Sequence, residues 1–269
     1  MKLREHKLLS NPYIAILVIT VLLFFVGQFL EEGSNYLIGL LDLPVLAEDL
    51  LSLVVIAAFT AVLLSLHRWY FQGQIPVTIS TNNLGLGMFT GLSLLVVIIL
   101  NFAEVTFPLA ADPLHAILAA MVPGILEEII CRAFACTIAM KYIKQEKQVL
   151  TTAVFSSALF GIFHLIMIFF GADVVNTLIQ VFFAFGIGLT LTAVYLRTGS
   201  ILSTMIYHTI IDIPHWFIVR QTVAAFEISD EMSMLKSIGL GLGYTIAGFY
   251  LLRRAKRQES FAFWKNQLG

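Results

Sequence analysis

About eight stretches of roughly twenty apolar residues, joined by short charged connections, run the length of this chain. In hydrocarbon every backbone amide must find its partner within the chain, so segments of this length fold as membrane-crossing helices. The balance of residue types agrees: of 269 residues 59% are hydrophobic and 12% charged, with mean hydropathy +0.90. A soluble domain carries about a quarter charged residues. The expected fold is all-α, a polytopic membrane helix bundle of about eight transmembrane helices. The spans are expected near 13–30, 46–66, 84–107, 114–140, 150–170, 174–196, 200–219 and 234–252. They form one transmembrane domain over 1–269, with N-terminal spans in 1–111, a core in 112–216, and a last span and basic tail in 217–269.

The connections sort by charge. Arg68, then Lys141, Lys144 and Lys147, then Arg197 follow alternate spans, and both ends are basic, with Lys2, Arg4 and Lys7 at one and Arg253, Arg254, Lys256 and Arg257 at the other. The intervening loops hold Glu31, Glu32 and Asp42, then Asp112, Asp173, and finally Glu227, Asp230 and Glu231; Arg220 is the exception. The Lys/Arg bias predicts both termini in the cytoplasm. The run Tyr13–Leu30 is followed by Glu31-Glu32 in place of a small-residue cleavage site, so it reads as a retained first span. No basic patch interleaved with aromatics points to nucleic acid. Cys131 and Cys136 stand five apart, off one another's face on an α-helix, and read as buried free thiols. Gly87 with Gly91, and Gly239 with Gly243, are spaced for close helix packing.

The middle of the fourth stretch breaks its own pattern with Glu127-Glu128. His164 interrupts the fifth stretch, and His208 with Asp212 the seventh. Ionisable groups at bilayer depth are costly and usually functional. At ~1.5 Å per residue, Glu127 lies ~20 Å from either end of its span, His164 ~21 Å above its start, and His208 and Asp212 ~12 and ~18 Å above theirs. These depths share a band in a core of ~30 Å. Glu128 and Arg132 are four apart and share a face, as do His208 and Asp212, and Phe160 and His164. Glu127 points about 100° away from Glu128 and need not share its partner. Pro123-Gly124, one turn earlier, predicts either a tolerated kink or a break that admits water.

A carboxylate in a low-dielectric cavity can act as a base near neutrality, one imidazole can share the deprotonation of water, and another can stabilise an oxyanion. Alternatively Glu127, His164, His208 and Asp212 could hold a divalent metal such as zinc that polarises the water. No His-Glu-x-x-His run is present. A proton relay uses the same residue types, although no repeated broken-helix pair is evident in the sequence.

At these residues the chain resembles the CAAX-protease and bacteriocin-processing (CPBP, or Abi) family of intramembrane endopeptidases. Glu127-Glu128-x-x-x-Arg132 resembles the first motif of that family, Phe160-x-x-x-His164 the second, and His208-x-x-x-Asp212 the third, where the eukaryotic members typically carry Asn in place of Asp. The resemblance covers roughly residues 112–216. It implies a helical bundle whose catalytic cavity opens to the cytoplasm. It further implies Glu127 as general base assisted by His164, His208 and Asp212 on the scissile carbonyl or oxyanion, and Glu128, Arg132 and Phe160 in support. An Asp at 212 donates a hydrogen bond only when protonated, so its role there differs from that of an Asn.

The expected substrate is a membrane-associated or lipid-modified peptide or protein, in contact with membrane lipids, in a multi-pass protein of a bacterial inner membrane. By resemblance, peptide maturation or bacteriocin self-immunity is the expected setting. The rival readings are a non-catalytic scaffold or immunity protein and a proton-coupled transporter. Among other polar residues, His6 and His67 read as solvated at the cytoplasmic margin, His115 as interfacial, His215 as a marginal cavity residue, and Glu104 as loop-facing. Asn176 and Gln180 read as interhelical hydrogen-bonders, and Trp69, Tyr70, Tyr195 and Trp216 as interfacial aromatics.

Overall fold

A computed structural model of the protein describes residues 12–70, 81–103, 112–142, 144–218 and 231–268. Lys2, Arg4, His6, Lys7, Glu104, Arg220, Glu227 and Asp230 lie outside the described residues. The described residues are predominantly helical and contain no strand. The helices are α1 (Pro12–Gly39), α2 (Val45–Tyr70), α3 (Leu84–Thr90), α4 (Leu95–Phe102), α5 (Pro113–Glu128), α6 (Thr137–Tyr142), α7 (Lys147–Phe163), α8 (Val174–Thr198), α9 (Ile201–Ile218), α10 (Glu231–Leu251) and α11 (Arg254–Leu268). A π-helical segment, Ile129–Cys136, joins α5 to α6, and a 3-10 segment, His164–Phe170, extends α7.

Among the described residues five helices are long and apolar enough to cross a membrane, or up to seven if each of two bent pairs is one span. Eight were expected. The helix that drops out is α9, where His208, Asp212, Pro214 and His215 dilute the apolar run. The chain is a multi-pass membrane protein.

α8 is the central helix: nearly every side chain from Ala184 to Leu196 is buried. Glycines let its neighbours approach. A Cβ on Gly161 of α7 would meet the Val181 carbonyl, one on Gly186 the backbone of Gly241, and one on Gly248 the side chain of Leu189. By contrast Gly239 and Gly243 have nothing within 4 Å, so the expected packing pair on α10 is instead Gly241 and Gly248. These two stand seven apart, two helical turns, and both face α8. Gly87 and Gly91 do pack, against Ser203 and Tyr207 of α9. The span expected over 84–107 is bent by 52° at Gly91. Two tyrosines take up backbone groups around the bend: Tyr207 donates its hydroxyl proton to the Met88 carbonyl at 2.6 Å, and the Tyr244 hydroxyl accepts from the Val97 N–H at 2.6 Å. In lipid these groups have no water to fall back on.

Three further positions depart from expectation. α1 continues as helix to Gly39, so Glu31 and Glu32 are helical and not a loop. His67 is buried, edge-on to Phe134 with ring centroids 4.8 Å apart, because α2 turns it inward and away from water. Tyr195 is buried too, sharing a 2.7 Å hydrogen bond with Thr137 and packing 5.4 Å from Trp264. Trp264 belongs to α11, which the sequence presented only as a basic tail. It leaves α10 at 65° and folds back, the Trp264 indole donating to the Leu196 carbonyl at 2.8 Å.

Pro123 does not break α5, which runs on to Glu128. Gly124 has the larger consequence. A Cβ there would collide with the Thr209 side chain and press on its backbone, so Gly124 sets how closely α5 approaches α9. Gly124→Ala should therefore destabilise the protein by about 1–3 kcal/mol, as overpacking does. Gly239→Ala, into open space, should be neutral or slightly stabilising. Thermal unfolding of the two variants in detergent checks this; equal midpoints would contradict it.

Candidate active site

The first site residues come from the junction where α5 becomes π-helical. Adjacent residues on a helix point in different directions, and here the two acids meet different surroundings. Glu128 and Arg132 are fully buried and form an ion pair at 2.8 Å. The same carboxylate oxygen of Glu128 accepts a hydrogen bond from Nδ1 of His208 at 2.9 Å. Two helices distant in sequence are thus joined by one buried carboxylate. Burying a lone charge costs several kcal/mol, so each member of this trio depends on the others.

Arg132 is also stacked. Its guanidinium carbon lies 4.4 Å from the centre of the Phe160 ring, and Nη2 donates to the Gly188 carbonyl at 3.4 Å. Gly188 leaves the necessary room, since a Cβ there would meet Phe160 at 2.9 Å and Nη2 at 3.4 Å. The Phe160 ring stands edge-on to both imidazoles, with centroids 5.3 Å from His164 and 5.6 Å from His208. Phe160 is therefore the common neighbour of all three motifs.

Glu127 points elsewhere. Its side chain is 19% exposed against 0% for Glu128, which makes it the acid of the pair that a small molecule can reach. Its carboxylate is 3.8 Å from Nε2 of His208, and that of Asp212 is 3.4 Å from the same nitrogen. Both are charge contacts longer than a good hydrogen bond. Carboxylates only accept, so a proton on Nε2 suits both neighbours.

Glu127 also lines a cavity of about 90 Å³ with His164, Phe160, Phe163, and Phe24 and Gln28 of α1. His164 marks the change from α to 3-10 winding. Its Nδ1–H donates to the Phe160 carbonyl at 2.9 Å. A carbonyl accepts only, so this bond assigns the Nδ1 proton and leaves Nε2 directed away from it, the nitrogen that accepts in this tautomer. Glu127, His164 and His208 are thus brought together around Phe160. Glu127 and His164 share the cavity, while His208 and Asp212 abut Glu127 and do not line it.

The four prospective metal ligands do not converge. No three His, Cys, Asp or Glu side chains among the described residues form a group that could hold a metal ion. Nδ1 of each imidazole is engaged by protein, with the Phe160 ring beside both. The cysteines are buried free thiols. The π-turn, with its i to i+5 pattern, does bring residues five apart onto one face. The Cys136 thiol and the Ser156 hydroxyl both donate to the Cys131 carbonyl, at 3.4 and 2.7 Å.

Several neighbours were not foreseen. Phe24 of α1 stacks on Phe163 at 4.0 Å and 11°, and Gln28 enters the cavity. The signal was present in the sequence as a polar Gln28 one helical turn before Glu31. Gln180 lines the cavity and Asn176 does not. His115 is not a free interfacial residue: its Nδ1–H donates to Asp49 of α2 at 2.9 Å. His215 packs beside Trp216, with ring centroids 5.8 Å apart, and not in the cavity.

A family model described as type II CAAX prenyl endopeptidase Rce1-like matches residues 109–214, the segment that holds all three motifs. No curated protein and no solved structure matches the chain. The match likens residues 109–214 to type II CAAX prenyl endopeptidases and leaves the rest of the chain outside it.

Proposed function

We propose that the protein hydrolyses a peptide bond of a membrane-associated or lipid-modified peptide, using a water activated by Glu127 and His164 without a resident metal. One observation carries this reading: a partly accessible carboxylate and an imidazole with an acceptor nitrogen line the same cavity. A water held there donates one proton toward Glu127 and the other toward His164 Nε2, leaving a lone pair for the scissile carbonyl. Glu127 takes a proton as the water oxygen bonds to carbon. The carbonyl oxygen becomes an oxyanion, and the proton on Nε2 of His208, 3.8 Å from the Glu127 carboxylate, is the donor that meets it. Collapse of the intermediate breaks the C–N bond, and the proton on Glu127 passes to the leaving amine. Asp212 orients and balances the charge of His208 across 3.4 Å. Glu128 and Arg132 hold His208 from behind and take no proton.

The setting that fits the chain is a cell membrane, with bacterial peptide maturation or bacteriocin self-immunity as the process. A scaffold makes no use of an accessible acid and an imidazole facing one cavity.

The direct test is cleavage of a peptide library by the purified protein in detergent. Glu127→Gln should lower turnover by roughly 10²–10⁴-fold, the range of a positioned general base. His208→Ala should cost about 10²–10³-fold through the lost oxyanion contact. A Glu127→Gln protein that cleaves at the parent rate would end the role of Glu127 as general base, and a parent protein that cleaves no peptide would end the hydrolase reading. Chelators should leave the rate unchanged; inactivation reversed by added zinc would overturn the metal-free mechanism. Arg132→Leu, which strands Glu128 in the core, should destabilise the fold by about 3–5 kcal/mol. The double variant Glu128→Leu/Arg132→Leu should recover much of that stability but not the activity, read by thermal unfolding and turnover on the same sample.

A further inference from the structure

The cavity is walled on one side by a helix that lies outside the family domain. Phe24 and Gln28 are four apart on α1 and share one face, and between them Gly27 packs closely on Leu126 and Ile130, on either side of the Glu127-Glu128 pair. Gln180 of α8 lines the same cavity. The remaining lining is largely apolar, with Ile166 and Met167 beside the phenylalanines. Two primary amides therefore flank the acid and imidazole in an otherwise oily wall. A side-chain amide both donates and accepts, which matches the paired N–H and C=O of a peptide bond. Both have capacity to spare. Among the described residues Gln180 makes no side-chain hydrogen bond, and Gln28 makes only a long 3.4 Å contact to Glu31.

We propose that Gln28 and Gln180 are specificity-determining residues that hydrogen-bond the main chain of an extended, uncharged peptide segment lying across Glu127 and His164. The proposal rests on the peptidase reading of the site. It also assigns α1 a task, since the residues 109–214 supply only part of the wall. At about 90 Å³ the cavity is well below the roughly 300–1,000 Å³ of a typical ligand pocket. A peptide enters only if the wall widens, and the Phe24–Phe163 stack is the seam between α1 and the family domain.

The test is binding by the full chain in detergent on the Glu127→Gln background, where the peptide is not consumed. The probes are fluorescein-labelled ten-residue peptides, with and without a prenylated cysteine. Gln28→Leu and Gln180→Leu should each weaken binding about tenfold, the loss of one buried hydrogen bond. Methylating single backbone nitrogens of the peptide should weaken binding at one or two positions, and the same methylation should cost nothing further in the matching leucine variant. A general packing defect would not erase that position-specific penalty. Gln28→Glu and Gln180→Glu keep the shape but remove the donor, and they serve wherever a leucine variant fails to fold. Undiminished binding by both variants, a methylation penalty equal in parent and variants, or no binding of any probe overturns the proposal. Binding without any cleavage by the parent protein would instead overturn the peptidase reading while leaving the binding result to stand.

Discussion

A guanidinium, a carboxylate and an imidazole buried together among membrane helices set the terms for the rest of this fold. None of Arg132, Glu128 and His208 is tolerable alone at that depth, because an unpaired charge in low dielectric costs several kcal/mol. Together they form a 2.8 Å ion pair and a 2.9 Å hydrogen bond on a single carboxylate oxygen. The helices carrying them must come close, and the small residues follow from that demand. Gly124 brings α5 against α9, and Gly188 makes room for Arg132 to lie on Phe160.

Two neighbouring glutamates thereby acquire different tasks from one helical fact, the turn of about 100° between adjacent residues. Glu128 turns into the bundle and is spent on structure. Glu127 turns toward a void and keeps its lone pairs. The chemistry of the site depends on this separation, since a carboxylate taken up by a guanidinium and an imidazole is closed to water. Phe160 adds a second separation. Its ring touches the Arg132 guanidinium with its face and both imidazoles along its sides, keeping His164 and His208 distinct.

The winding of the helices changes at the residues that matter. A π-turn begins directly after Glu128 and a 3-10 turn begins at His164. Such changes displace backbone groups from their regular partners, and π-turns are frequent at functional sites. Here side chains take up the carbonyls: Ser156 and Cys136 on Cys131, and His164 on Phe160. The last of these also selects the tautomer of His164, so an irregular backbone and the protonation of a site residue are one feature.

Much of this was legible from spacing. Apolar runs of membrane length give helices, because lipid offers the backbone no other partner. Residues four apart meet on a helix, so the pairings of Glu128 with Arg132, His208 with Asp212, and Phe160 with His164 could be read along the chain. These are local facts, decided within one or two turns. What stayed hidden was non-local. No periodicity told that α1 would lay Phe24 and Gln28 into the site, that α2 would bury His67, or that a basic tail would fold back to seat Trp264 under Tyr195. The two cysteines were misread in geometry because a π-turn replaced the α-helical one assumed for them. The sequence by itself determined that the chain folds as apolar helices of membrane length and which acids and imidazoles pair along one helix, because hydrophobicity and helical period are properties of a single segment. Only the tertiary structure decided which acid is buried and which faces the cavity, because that depends on the rotation of each helix against neighbours distant in the chain.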